Sequence, residues 1–199
     1  INTGRRLSMC DNYEFGLDHA VGRYVVFIGD DDAVMPGALD KFQASIEANP
    51  CPVYTWPNGG YNWPIGERKA AVDVFPRLTE PFELDLKRLA WRTVRQGFWG
   101  YTRLPSVYHS AVAKHILDEI RHSTGRVFHS TQPDLFTGFA IPAYSSKAIN
   151  LGFSVTVPGR SAKSNAAVSI DKKGLENIEL YIEEFGGYQI HPTLFPGFP

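Results

Sequence analysis

Apolar positions along the chain change period several times, and each change marks an element. Phe15, Leu17, Ala20 and Val21 recur at helical spacing, with Ser8 or Asp11 as caps and Gly22 as a stop. Tyr24-Val25-Val26-Phe27-Ile28 follows at once, a β-branched and aromatic run suited to a strand buried on both faces. Pro36 opens a second helix carrying Ala38, Leu39, Phe42 and Ile46, which Asn49-Pro50 ends. Val53 to Trp56 reads as a strand, and Ala70 to Val74 as a short one. A helix is expected around Leu84 to Val94, and another over Val107 to Arg121 with Val112, Ile116, Leu117 and Ile120 on one face. Ser123-Thr124-Gly125 stops it. His129 to Pro133 is extended or turned, because the residue before proline avoids the helix. An apolar run from Leu135 to Ile141, a strand at 153–157, a basic, serine-containing loop from Gly159 to Asn165 and a helix over Leu175 to Phe185 complete the pattern. Helix, tight turn and strand in that order form the second half of a βαβ unit, so the fold class is α/β.

Composition narrows the function classes. With 199 residues, 43% apolar and 13% aromatic, the chain can bury a substantial core. A net charge of -1 gives no case for a general nucleic-acid binder. Cys10 and Cys51 make neither a disulfide framework nor a zinc pattern, and both read as reduced, partly buried thiols. No apolar run reaches the roughly 18 to 20 residues of a membrane span, and no signal peptide is visible. The chain starts at Ile1 and ends in Pro199, which reads as a fragment of a longer protein, so targeting or membrane-anchoring segments outside it stay open.

The chemistry concentrates where the strand run breaks at Gly29 into Asp30, Asp31 and Asp32. Adjacent carboxylates repel and are costly to bury unpaired, so they belong at a strand mouth, where ligands bind in open α/β sheets. Oxygen-rich clusters of this kind suit Mg²⁺ or Mn²⁺ shared with substrate phosphates. A solvated acidic turn capping the next helix is the alternative. A calcium loop fits poorly, because the glycine and distal Glu of an EF-hand are missing.

Gly16-Leu17, Ala20, Gly22, Tyr24, Phe27-Ile28-Gly29-Asp30-Asp31-Asp32, Pro36 and Leu39 resemble, in order and spacing, the middle of a family 2 glycosyltransferase of the GT-A fold. The resemblance covers about residues 12 to 42 and implies a Rossmann-like mixed sheet flanked by helices. It also implies that N-terminal strands holding the nucleotide base have no counterpart before Ile1, which would leave a sheet edge open. Glu14 stands where the motif usually has Asn, with Asn12 nearby, and Gly29 replaces the usual first acid. Asp30 and Asp32 keep the Asp-x-Asp spacing. A looser match over Tyr108 to Ile120 leads to Gln132-Pro133-Asp134-Leu135, where the family carries its catalytic acid.

The resemblance implies transfer of a sugar, with inversion, from a nucleotide-sugar donor (UDP- or GDP-linked) to a carbohydrate or lipid-linked acceptor. Asp30 and Asp32 would hold the metal, and Asp31 would serve the ribose or the metal's waters. Asp134 is the candidate general base, with a helix N-cap as its alternative. Trp63, Trp99 and Tyr101 are candidate sugar platforms or simple core fillers. Arg160, Lys163 and Ser164-Asn165 form a loop able to close over the diphosphate, or one that is merely solvated. His129 is a candidate acceptor contact. The expected layout is a partial catalytic domain over 1–170 and a helix and tail over 171–199, cytoplasmic or peripheral to the inner face of a membrane. The rival functions are a catalytically silent sugar- or nucleotide-binding module and a nucleotidyltransferase.

Overall fold

The computed structural model describes residues 2–73, 78–129 and 132–162. In chain order the elements are α1 (Met9–Asp18), β1 (Tyr24–Val25), β2 (Ala33–Val34), α2 (Ala38–Ala48), β3 (Val53–Thr55), β4 (Tyr61–Asn62), β5 (Ala71–Val72), β6 (Phe82–Asp85) and α3 (Leu86–Arg95). A 3₁₀ turn at Tyr101–Arg103 leads to β7 (Ser110–Ala113), α4 (Lys114–Thr124), α5 (Pro133–Tyr144), β8 (Lys147–Asn150), β9 (Thr156–Val157) and β10 (Gly159–Arg160). The main sheet has the order β1-β7-β3-β8-β6. β7 runs antiparallel to both β1 and β3, β3 and β8 are parallel, and β6 is antiparallel to β8.

Alternation along the central strands gives the sheet its two covered faces. Val53 pairs with Val112 and Tyr54 with Ala111, so consecutive residues point to opposite sides. Val53, Val112 and Ala148 join Leu17 of α1, Leu86 of α3, Ile116, Leu117 and Ile120 of α4 and Ile141 of α5 in one core. Tyr54, Ala111 and Leu151 join Ala38 and Phe42 of α2 in the other. Helices on both faces of a mixed sheet form the expected α/β architecture of GT-A type.

Several local expectations change. The run from Tyr24 to Ile28 is covered on both faces only at its start, where Tyr24 packs on Phe42 and Tyr54; Val25 is 6% exposed, whereas Val26 and Ile28 are 37% and 39% exposed. Its regular ladder is two residues long, after which Phe27 bridges Tyr108 in parallel, and β1 is an edge of the sheet as described. α1 ends at Asp18, leaving Val21 outside it and 98% exposed. Leu39 faces solvent while Ala38 and Phe42 carry the buried side of α2. The helix expected over Val107 to Arg121 is β7 followed by α4, because all four residues of β7 are buried between neighbouring strands. β6 precedes the α3 helix, and β8 follows α5, both without a sequence signal strong enough to separate them from the adjoining helices. The helix expected over Leu175 to Phe185, the boundary at 170, Lys163 and Ser164-Asn165 lie outside the described residues.

Candidate active site

Phe27 leaves the sheet and the chain turns at Gly29, where the Asp32 amide reaches back to the Gly29 carbonyl at 3.3 Å. This turn points the three carboxylates in different directions. Asp32 turns inward, and its side chain is fully enclosed, 0% exposed. Its Oδ2 accepts from the Gly29 amide (2.5 Å) and the Tyr108 hydroxyl (2.6 Å), and its Oδ1 from the Gly159 amide (2.6 Å). His109 Nε2 lies 3.2 Å from the same Oδ2, without the alignment of a hydrogen bond. Burial alone would raise the Asp32 pKa; the adjacent His109 imidazole and the Tyr108, Gly159 and Gly29 donors outweigh it and hold the carboxyl well below the usual carboxylate range. Burial, and then the neighbouring Asp32 carboxylate, push the Tyr108 phenol well above its ordinary value.

The segment from Val155 to Ser161 closes over the turn. β2 pairs antiparallel with β9, and the Met35 amide donates to the Val155 carbonyl. β10 pairs in parallel with β4, which brings Trp63 alongside, and Trp63 Nε1 donates to the Asp31 carbonyl at 2.9 Å. The Ser161 amide donates to Asp31 Oδ2 at 3.1 Å. A Cβ at Gly159 would stand 1.8 Å from the Asp31 carbonyl oxygen, so only glycine permits this approach. Gly29, where the resembling motif has an acid, is crowded more mildly and by side-chain tips: a Cβ there would meet the Tyr108 hydroxyl at 2.9 Å. Asp30 is exposed and has no side-chain partner among the described residues.

Behind the turn, Thr156 Oγ1 accepts from Trp56 Nε1 (2.8 Å) and lies 2.7 Å from His109 Nδ1. Indole can only donate, so Thr156 Oγ1 is its acceptor and the Thr156 hydroxyl proton is free to reach Nδ1, an arrangement that places Nε2–H toward Asp32. His109 adopts φ 55°, a left-handed conformation that reverses the chain between the Phe27 bridge and β7.

A cleft of about 660 Å³ opens on the other side of this pair. Tyr108 and His109 line it together with Asp134, Tyr101, Arg103 and Asn150. Asp134 is the second residue of α5, half-buried, and its carboxylate has no partner among the described residues. The residue at the cap position is Gln132, so Asp134 does not cap α5.

The family model for glycosyl transferase family 2 matches residues 1–112. The chain belongs to that family. No curated protein matches it. The matched span of this family 2 domain includes the acid turn, Tyr108 and His109, and stops before Asp134.

The remaining candidates separate clearly in this glycosyltransferase domain. Trp63 joins the acid turn and Tyr101 the cleft. Trp99 is 83% exposed and does not line the cleft. Asn12 is exposed on α1. Glu14 instead is structural: its Oε1 accepts from the Val127 and Phe128 amides (2.6 and 2.7 Å), and its Oε2 pairs with Arg121 at 2.7 Å. His129 Nε2 lies 3.0 Å from the Arg126 carbonyl and its ring packs on Phe136, outside the cleft lining. Arg160 pairs with Asp73 at 2.8 Å. Asn165 lies outside the described residues. Tyr108 and His109 were not singled out from sequence. The sequence around them carries no local signal that would have separated them from the adjoining elements.

Among the described residues no group of three His, Cys, Asp or Glu side chains is placed to hold a metal ion. The acid turn fits a divalent cation only in part. Asp30 offers an open carboxylate and Asp31 a half-open one, a donor set suited to an ion that takes its other ligands from phosphate and water. Asp32, with both oxygens engaged and none exposed, is not available as a ligand in this arrangement.

No helix among the described residues is long and apolar enough to cross a membrane.

Proposed function

We propose that this domain transfers a sugar from a nucleoside-diphosphate sugar to an acceptor hydroxyl, with inversion at the anomeric carbon and Asp134 as general base. The observation that carries the reading is the shared dipeptide Tyr108-His109, which contacts Asp32 of the acid turn and lines the cleft that contains Asp134. The acceptor is a carbohydrate or lipid-linked hydroxyl bound in the cleft, with Tyr101 as a ring for its apolar face. Asp134 takes the hydroxyl proton as the acceptor oxygen bonds to the anomeric carbon. The bond from that carbon to the diphosphate oxygen breaks, and the nucleoside diphosphate leaves with the electron pair. A positioned carboxylate of this kind contributes about 10²- to 10⁴-fold in rate.

Asp30, with Asp31 beside it, is the set we assign to a divalent cation, Mg²⁺ or Mn²⁺. Such an ion neutralises charge on the departing diphosphate as a Lewis acid. Asp32 serves a different end: it fixes the turn against Gly159 and Tyr108, so that its neighbours face outward.

Calorimetric titration with UDP-hexose and GDP-hexose, each with Mn²⁺ and with chelator, tests the reading. Metal-dependent heat with one nucleotide is expected, and product analysis should give a glycoside and a nucleoside diphosphate. Release of pyrophosphate would instead identify a nucleotidyltransferase. Donor binding without turnover on any acceptor would identify a silent binding module.

A further inference from the structure

The chain is nearly neutral as a whole, yet no acidic residue occurs between Asp85 and Asp118. Within that stretch Lys87, Arg88, Arg92, Arg95 and Arg103 are exposed, and none has an acidic partner among the described residues. By contrast Lys114, Arg121, Arg126, Lys147 and Arg160 all form ion pairs. α3 buries Leu86 and Thr93 and turns its other face outward. On that face Trp91 is 69% exposed, with Lys87 and Arg88 one turn before it and Val94 and Arg95 one turn after. The chain beyond α3 adds Phe98 and Trp99, 55% and 83% exposed.

Bulky apolar side chains ringed by cations that have no acidic partner among the described residues have the composition of an interfacial helix. The aromatic rings enter the headgroup region, and the cations meet anionic lipid. We propose that α3 and the loop through Arg103 form a docking surface for an anionic bilayer. Charge complementarity selects this occupant. A second copy of the chain would bring one basic face against another across a symmetric contact. Single-stranded nucleic acid favours a groove that tracks its backbone, whereas this surface is an exposed helix and its trailing loop.

The loop reaches the cleft, since Tyr101 and Arg103 line it, and α3 contributes Leu89 from its inner side. Docking through this loop would therefore hold the cleft close to the membrane surface. That selects a lipid-linked acceptor over a soluble one, a consequence that rests on the transfer reaction proposed above, although the docking does not.

Co-sedimentation of the chain with vesicles of phosphatidylcholine alone, or mixed with phosphatidylglycerol, tests the proposal. Binding to the mixed vesicles is expected, weakened at least about tenfold without the anionic lipid or in high salt. The pairs Arg92→Glu with Arg95→Glu, and Trp91→Ser with Trp99→Ser, should each weaken it about tenfold or more, with unchanged circular dichroism and urea midpoint. The proposal is overturned if the folded wild-type chain stays in the supernatant, or if both vesicle types bind equally and the variants change nothing. It is also overturned if the variants turn a wild-type dimer into a monomer, or if they abolish binding to an oligouridylate while vesicles are ignored. Donor titration of the same proteins separates the two claims. Vesicle binding without donor binding by any of them would remove the acceptor argument and leave the docking surface.

Discussion

Tyr108 donates its hydroxyl to Asp32 Oδ2 at 2.6 Å, joining residues 76 positions apart in the chain. This bond ties the acid turn to the strand edge that walls the cleft. Phenylalanine at 108 keeps the ring and removes the donor, leaving an enclosed carboxylate under-satisfied. We expect a loss of about 1–3 kcal/mol, read from urea denaturation. Combined with Asp32→Asn, the two changes should cost clearly less than the sum of the single losses, because they remove the same bond.

Asp32→Asn should itself cost about 2–4 kcal/mol at neutral pH, since one amide face would point a donor at the Gly29, Tyr108 or Gly159 donors. The pH dependence follows from the lowered carboxyl pKa. A group that loses its proton more readily in the folded state stabilises fully above its unfolded value of about 3.9 and ceases to do so as pH falls through the folded value. Wild type and Asp32→Asn should therefore differ most at neutral pH and converge as the pH drops below about 4. Curves that stay parallel into acid would show that the charge of Asp32 contributes nothing.

Gly159→Ala places a methyl against the Asp31 carbonyl, 1.8 Å from its oxygen before any relaxation. Backbone rather than a flexible side-chain tip blocks the way. A destabilisation above about 2 kcal/mol is expected, together with loss of the protection of the Gly159 position against hydrogen exchange.

Asp30→Asn and Asp134→Asn should separate binding from chemistry. Neither carboxylate has a partner among the described residues, so both variants should keep wild-type stability within about 0.5 kcal/mol. Asp30→Asn should abolish metal-dependent donor binding. Asp134→Asn should retain it and lose about 10²- to 10⁴-fold in kcat. Wild-type turnover by Asp134→Asn would move the base elsewhere.

Burial pushes the Cys10 thiol up to about 11, and raises Cys51 as well. At neutral pH both should resist iodoacetamide in the folded chain and react on unfolding, as followed by intact mass.

α1 to α4 were legible in outline because each buries one stripe, whereas α5 showed only as an apolar run from Leu135 to Ile141. Ile116, Leu117 and Ile120 are inside α4 as their spacing predicts, and Ser8 caps α1 through the Asp11 amide at 3.1 Å. β7 was not legible, because Ala111 and Val112 continue into Ile116 without a breaker, and a short strand buried on all sides has no period of its own. The acid cluster was evident from composition, and Asp134 from the motif that resembles the family. The directions of the carboxylates were not. Asp32 turns inward because an amide 127 residues away meets it, and no local pattern encodes that encounter. His109 reads from sequence as one of three histidines on a helix with His115 and His122, without a ligand spacing; its place beside Asp32 comes from the Phe27 bridge and the Thr156 contact, which are remote in sequence.

Glu14 occupies a motif position that usually carries Asn, and it grips two consecutive amides at Val127 and Phe128 while holding Arg121. An uncharged side chain there would have no call on a guanidinium. The acid therefore latches α1 to the loop after α4 as well as to α4 itself. Removing Glu14 alone would strip both amides of their acceptor while leaving Arg121 its second carboxylate, Asp18, so the latch would fail first at the loop after α4 and not between the two helices.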